Sequence, residues 1–249
     1  MLNKVIFNDN RFILPDIKTN SINLILTDAP YQISKSSNFH KKSGNKTFDT
    51  KYMNLSNDFG QWDKESIDWT FYMQEFHRIL KKGGKIIMFY DIWKMGNIKS
   101  LAEDLKYSQP RIGIWEKTNP VPINSDKNYL SNSREYFISL TRHGWKNRSR
   151  VSSVFNSEYD NAVYKYPTIS GGEVSGHPTQ KPIALFEDII SKHTNENDLI
   201  LDPFIGSGTT AVAARNLGRN FIGIENNPDY INMCSERGLD IKYQEGCLF

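Results

Sequence analysis

This sequence predicts an α/β fold built on a doubly wound, mostly parallel sheet. Three observations carry the prediction. Short apolar runs alternate with segments of helical periodicity along most of the chain. Ile86-Ile87-Met88-Phe89-Tyr90 is a near-continuous apolar run, the pattern of a strand covered on both faces. Residues 199–225 hold, in order, an apolar run, a glycine turn, a helical segment, a second apolar run and a terminal acid, Glu225.

The elements follow in order. Val5-Ile6-Phe7 reads as a short strand, and 22–27 as a second, through Ile22, Leu24, Ile25 and Leu26. Between 66 and 82, Ile67, Trp69, Phe71, Tyr72, Phe76, Ile79 and Leu80 fall at helical spacing, and Gly83-Gly84 can stop the helix. A strand at 86–90 is followed by a helix at 93–106. Strands are expected at 112–115 and 136–140. Leu185, Ile189 and Ile190 share one face of a helix at 185–193. Then come a strand at 199–201, a helix at 209–217, a strand at 221–224 and a helix at 229–237.

Composition sets bounds. Of 249 residues, 38% are hydrophobic and 24% charged, ordinary for a soluble globular protein, and one catalytic domain spanning 1–249 is expected. No apolar run approaches the roughly 20 residues of a membrane helix. Residues 1–15 carry one basic residue, Lys4, ahead of an apolar pattern broken by Asn8-Asp9-Asn10-Arg11, and do not read as a secretory signal. Cys234 and Cys247 make neither a disulfide framework nor a zinc set, and no metal site is expected, so a reducing cytoplasm is the reading. The net charge of +3 is mildly basic and compatible with a nucleic-acid partner.

Two stretches break the rhythm. Residues 32–62 are polar and aperiodic, with Lys35, Lys41, Lys42, Lys46 and Lys51 against Asp49 and Asp58. The second stretch, 118–176, is rich in Asn, Ser, Tyr and Arg. Within it "TRHGWKNRSR" places Arg142, Lys146, Arg148 and Arg150 together without an acid. A solvated face is the plain reading of either stretch. A phosphate-binding role is the functional one, with 32–62 a flexible DNA-contacting loop and 118–176 a target-recognition segment.

The chemistry concentrates in "LILDPFIGSGTTAVAARNLGRNFIGIENNPDY", residues 199–230. Gly206 and Gly208 permit close backbone approach to a ligand, and the helix opening at Thr209 offers free N–H groups. An acid ending the next strand can accept ribose hydroxyls, which makes Glu225 a nucleotide ligand candidate.

The wording is more specific than a nucleotide fingerprint. "DPFIGSGTT" at 202–210 resembles motif I of the DNA amino-methyltransferases, "GHPTQKP" at 176–182 their motif X, and "TDAPY" at 27–31 their motif IV. "NDN" at 8–10 matches the motif III position, and "IWEKTNP" at 114–120 looks like motif VIII. The order IV, X, I resembles the β group, and the likeness spans nearly the whole chain. It implies a circularly permuted, seven-stranded methyltransferase sheet, S-adenosylmethionine as cofactor and double-stranded DNA as partner. It implies a bacterial, archaeal or phage-encoded protein acting in the cytoplasm, and a homodimer is left open because β-group members commonly dimerise.

Carried over by position, the resemblance assigns His177, Thr179, Gln180 and Lys181 to the methionine end of the cofactor, Lys181 facing its carboxylate. Asp202, Phe204, Gly206, Ser207, Gly208, Thr209 and Thr210 form the glycine turn and helix start around it. Glu225 holds the ribose, and Asn226 borders the adenine. Asp9, with Asn10, is placed to accept from the adenine amino group, though Asp9 could equally cap a turn. Trp115 reads better as core than as a wall of the base pocket.

Motif IV can also be read chemically. An exocyclic amino group is a poor nucleophile because its lone pair is delocalised into the ring. The Asp28 carboxylate is one acceptor that can draw it toward a tetrahedral geometry. By resemblance, the carbonyl of Ala29 is the other. Pro30 biases residue 29 to an extended conformation, and Tyr31 can stack on an extruded base. Ala29 stands where the family usually has proline. It is read as a tolerated variant, because a carbonyl needs no ring beneath it. The expectation is a site-specific adenine-N6 DNA methyltransferase, since members beginning motif IV with Asp usually modify adenine. Cytosine-N4 is the runner-up, and a DNA-binding relative with impaired catalysis is the competing class.

Overall fold

The computed structural model describes residues 1–31, 67–108, 110–120, 132–146, 149–173 and 179–243; the side chains of 145, 146, 149 and 150 are not described. The chain forms two units, Met1–Ala29 with Trp69–Phe249, and Pro30–Asp68. Of the second unit only Pro30, Tyr31, Ile67 and Asp68 are described, so the expectation for 32–62 lies outside the described residues.

The first unit carries a nine-stranded sheet. Its strands are β1 (Lys4–Phe7), β2 (Ile22–Asp28), β3 (Leu80–Phe89), β4 (Arg111–Lys117), β5 (Arg134–Thr141), β8 (Val163–Tyr166), β9 (Leu199–Asp202), β10 (Asn220–Glu225) and β11 (Ile241–Tyr243). A separate hairpin pairs β6 (Trp145–Lys146) with β7 (Ser149–Arg150). The spatial order is β11-β1-β10-β9-β2-β3-β5-β4-β8. Only β5 runs against its neighbours in the sheet. The seven strands from β1 through β4 make the expected array, and β11 and β8 extend its two edges. The chain begins in β1, and β9 and β10 return late to fill the space between β1 and β2. That is the permuted connectivity the motif order implied.

The helices are α1 (Asn10–Ile13), α2 (Trp69–Ile79), α3 (Met95–Asp104), α4 (Ile183–His193), α5 (Thr209–Asn216) and α6 (Pro228–Glu236). In α4, Leu185, Ile189 and Ile190, the face read from the sequence, are buried, and Phe186 is buried with them. Phe186 stacks on Phe89 of β3 with ring centroids 5.7 Å apart. Burying an aromatic of this size stabilises by about 1.5–3 kcal/mol. No helix among the described residues is long and apolar enough to cross a membrane.

Three boundaries differ from expectation. Helix α2 ends at Ile79, and β3 starts at Leu80 rather than after the glycines. Gly83 takes a left-handed φ of 82° and its N–H donates to the Arg142 carbonyl at 2.9 Å, so the strand continues through a kink instead of stopping. The pairing register shifts there, between Ile22 and Leu24. Secondly, β5 and β8, which lie within 118–176, are strands of the main sheet. Lastly, α1, β8 and β11 had no readable signal. Each has three or four residues, too few to show a period.

Candidate active site

Strands β1, β10, β9, β2 and β3 are parallel and end at one edge. The winding reverses between β9 and β2. A crevice at such a switch point, beyond the carboxyl ends of the strands, is where ligands bind in doubly wound sheets. Two acids stand there. Asp202 ends β9 and Asp28 ends β2.

Asp28 meets a cation. Lys181 Nζ donates to Asp28 Oδ2 at 2.5 Å and lies 3.0 Å from Glu135 Oε2. Glu135, near the start of β5, also receives Lys117 Nζ at 2.7 Å. The lysine is the most enclosed of the four, with 4% of its side chain exposed against 22% for Asp28. Burial opposes its charge, yet the Asp28 and Glu135 carboxylates hold Lys181 above the ordinary lysine range. Burial likewise raises Glu135, but Lys181 and Lys117 together bring it below the usual carboxylate range. The result is a chain of alternating charge, Asp28–Lys181–Glu135–Lys117. The Lys181 ammonium thus points to the motif IV carboxylate.

Asp202 is enclosed by neutral donors instead. Thr27 Oγ1 donates to its Oδ1 at 2.6 Å, Thr210 Oγ1 to its Oδ2 at 2.5 Å and the Phe204 N–H to Oδ1 at 3.1 Å. Only 3% of the residue is exposed. Burial pushes its pKa up to about 6. Both oxygens tie β9 to β2 and α5.

Glu225 ends β10 and is half-buried. Its carboxylate receives the Gly206 N–H at 2.9 Å, Asn226 N–H at 2.9 Å and Asn227 N–H at 2.8 Å. Burial pushes its pKa up to about 7. A carboxylate has about four acceptor sites, so about one is left for a ribose hydroxyl unless a backbone donor is shared. Gly206 has φ 52° and Gly208 φ 88°. At Gly208 a Cβ would lie 2.6 Å from the Leu239 side chain and 3.1 Å from Cys234 Sγ, so the close approach it permits is to the core beneath the turn. Thr209 Oγ1 donates to the Lys181 carbonyl at 3.4 Å, and Ser207 is buried.

The other expected ligands divide. Asp9 caps α1, accepting from Arg11 N–H at 2.8 Å and from the Arg11 guanidinium at 2.6 Å. Burial opposes ionisation there, and the Arg11 contacts bring Asp9 below the usual range. The capping alternative thus has the geometry. Asn10 Nδ2 donates to the Pro203 carbonyl at 2.7 Å and its Oδ1 accepts from Tyr72 Oη at 2.5 Å, joining α1 and α2 to the glycine turn. Gln180 is buried, its amide donating to the Glu173 carbonyl at 2.8 Å. Thr179 and Asn226 are exposed, and His177 lies outside the described residues. Trp115 is core, its indole donating to the Tyr166 carbonyl at 2.9 Å.

Ala29 is buried, and its N–H donates to the Phe89 carbonyl at 3.2 Å, extending the β2–β3 ladder by one bond. Proline could not make it. Pro30 and Tyr31 open the second unit.

Of the basic run, Arg142 is the residue whose side chain is described. Lys85 pairs with Thr141 and Phe89 with Phe137, while Asp28 pairs with Phe89. Arg142 therefore sits at the opposite end of the strands from Asp28, roughly 15 Å along the sheet. Its guanidinium donates to the Leu80 carbonyl and to Asn20 Oδ1, a bracing role. Lys146 and Arg150 lie in the β6–β7 hairpin that follows. Lys35, Lys41, Lys42 and Arg148 lie outside the described residues.

Sequence reasoning missed Glu135, which carries no motif, Lys117, which lies in the motif VIII stretch without an assigned role, and the aromatic group at the crevice. The Phe204 ring lies 5.3 Å from Tyr72 and 6.4 Å from Trp69, whose indole donates to Tyr90 Oη at 3.0 Å. Only the helical period of α2 marked Trp69 and Tyr72, and it read them as core.

The sequence model of the family described as "DNA methylase" matches residues 22–236. The chain belongs to this family. The methylase is 31% identical over 242 residues to the type II methyltransferase M2.LlaDCHI of Lactococcus lactis subsp. cremoris, covering 92% of this chain and 86% of that one. It is 30% identical to the type II methyltransferase M.HinfI of Haemophilus influenzae, covering 97% and 69%. Its fold superposes on the crystal structure of the M1.HpyAVI–SAM complex with TM-score 0.68 at 27% identity, over 94% of this chain and 98% of that one. The PvuII DNA methyltransferase, titled cytosine-N4-specific, shares the fold at TM-score 0.70 and 18% identity, covering 95% and 86%.

Proposed function

We propose that this methylase transfers a methyl group from S-adenosylmethionine to the N6 amino group of an adenine flipped out of double-stranded DNA, at a specific site. The observation that carries the reading is Asp28, partly buried at the switch-point edge, beside the glycine turn and held by Lys181. The residues present fit the cofactor. A glycine turn with two left-handed residues, a half-buried acid at the end of the next strand and an aromatic group around Phe204 line one edge of the sheet. When bound there, S-adenosylmethionine supplies an electrophilic methyl group. Glu225 and the turn would hold its nucleoside, and Phe204 its rim.

The chain's own part is to prepare the nitrogen. Asp28 accepts a hydrogen bond from the amino group and, with the Ala29 carbonyl, draws its lone pair out of conjugation. That interaction strengthens as the nitrogen pyramidalises, so it lowers the barrier more than it tightens binding. No covalent enzyme–base bond is needed, and Cys234 is buried with its thiol pushed up to about 12. Adenine rests on Asp, not Ser, beginning motif IV. The type II relatives favour a role in restriction–modification, in the compartment that holds the DNA. The test is nucleoside analysis of DNA methylated by the purified protein. N6-methyladenine is expected; N4-methylcytosine, or no methylation, overturns the reading.

A further inference from the structure

We infer that Lys181 and Glu135 form a positioning pair that sets the charge and orientation of Asp28, with Lys181 acting on the catalytic carboxylate instead of on the cofactor. The inference rests on the proposed amino-group transfer and assigns two residues to it.

The geometry is specific. The Lys181 ammonium reaches Asp28 Oδ2 at 2.5 Å and Glu135 Oε2 at 3.0 Å, and its face lies over the Phe89 ring at 5.6 Å. Its stem leaves the chain just before α4, and its carbonyl accepts from Thr209 Oγ1 at 3.4 Å. A lysine buried this completely and anchored at both ends has little freedom to follow a ligand. Glu135 in turn is fixed by Lys117 at 2.7 Å, and Lys117 lies over the Trp115 ring at 5.1 Å. Four groups from β2, β4, β5 and the start of α4 thus sum to zero charge. Asp202, across on β9, also senses the charge of Asp28.

The arrangement has a chemical use. An acceptor that must meet an amino group in one direction gains from a fixed donor on its other side. One Lys181 bond on Oδ2 fixes the plane of the carboxylate, and a carboxylate with about four acceptor sites keeps capacity for the base. The ammonium also favours the ionised form, which is the form that accepts. Glu135 tempers this, because it shares the ammonium.

The sharing gives opposite signs for two substitutions. Lys181→Met removes the cation and should move the acidic limb of the pH–rate profile to higher pH. Glu135→Gln removes the carboxylate charge that competes with Asp28 for Lys181 and should move that limb to lower pH. The experiment is single-turnover methyl transfer across pH at saturating S-adenosylmethionine, with cofactor affinity measured by calorimetry on the same samples. Lys181→Met is expected to slow transfer about 100-fold or more, in the range of a lost preorganised electrostatic contact, with cofactor affinity within about threefold. Lys181→Arg should restore the position of the limb. If Lys181→Met does not fold, Glu135→Gln and Lys181→Arg decide by the direction of the limb. Cofactor affinity falling about tenfold or more in Lys181→Met, with transfer near wild type at saturation, overturns the inference in favour of a cofactor contact. Limbs unmoved in both variants overturn it as well. A wild-type protein that methylates no DNA instead removes the functional reading on which the pair rests.

Discussion

Asp28 and Asp202 end adjacent parallel strands, and both are followed within two residues by proline, yet the fold uses them in opposite ways. Asp202 faces two hydroxyls and a backbone N–H, all uncharged, in full burial. Asp28 faces an ammonium and keeps 22% of its side chain exposed. Neutral donors in a closed site leave desolvation uncompensated, which is why Asp202 is pushed up to about 6. At Asp28, the carboxylate proposed to meet the substrate, the ammonium offsets the burial. A strand-terminal acid is thus a brace or a reagent according to its partner, not its place.

Substitutions separate the two. Asp28→Ala should lower single-turnover transfer by a factor of about 1,000 or more, as loss of a preorganised transition-state contact does, with cofactor affinity nearly unchanged in calorimetry. Glu225→Ala should weaken cofactor binding by about 1–3 kcal/mol, the cost of polar groups left unpaired. That loss includes a slackened glycine turn, because Gly206 loses its acceptor. Unchanged affinity would remove Glu225 from the cofactor site.

Asp202→Asn should act on stability. Its folded pKa, about 6, stands above the ordinary value of 3.8, so the folded state binds the proton more tightly. Stability from this group is fully present below about pH 4 and is lost as pH rises through about 6. The asparagine variant should flatten that descent, measured by chemical denaturation between pH 4 and 7. An unchanged slope would mean that Asp202 is not the titrating group.

Smaller effects test the edges of the contrast. Ala29→Pro keeps its carbonyl but loses the N–H to Phe89, so thermal unfolding should show about 0.5–1.5 kcal/mol less stability, with transfer within about tenfold. A gain of several orders of magnitude would make Ala29 an impairing residue. Arg142→Ala should lower stability through the Leu80 carbonyl and leave the salt dependence of DNA binding as it was. A log–log slope reduced by about 0.9 would restore Arg142 as a phosphate contact.

Much of this was legible in the sequence. Apolar runs in "INLILTD" and "GKIIMF" and the 199–225 unit marked the central strands, because strands buried on both faces show in composition alone. Motif order gave the permuted topology. The edge strands β8 and β11 were not legible, being short and partly exposed. Nor was the work of individual side chains. Glu135 and Lys181 are 46 residues apart and meet only because β5 runs antiparallel against β3, a pairing no local pattern announces. Arg142 was read only as part of a basic run, and strand direction puts it at the other end of the strands from Asp28.

The most direct test of the account compares Asp28→Ala with Asp202→Asn in one single-turnover assay at saturating S-adenosylmethionine and a pH above 7. Transfer by Asp28→Ala should be about 1,000-fold slower or worse, while Asp202→Asn stays within about tenfold of wild type. Retained activity in Asp28→Ala, or the larger loss in Asp202→Asn, would contradict the assignment of the two acids.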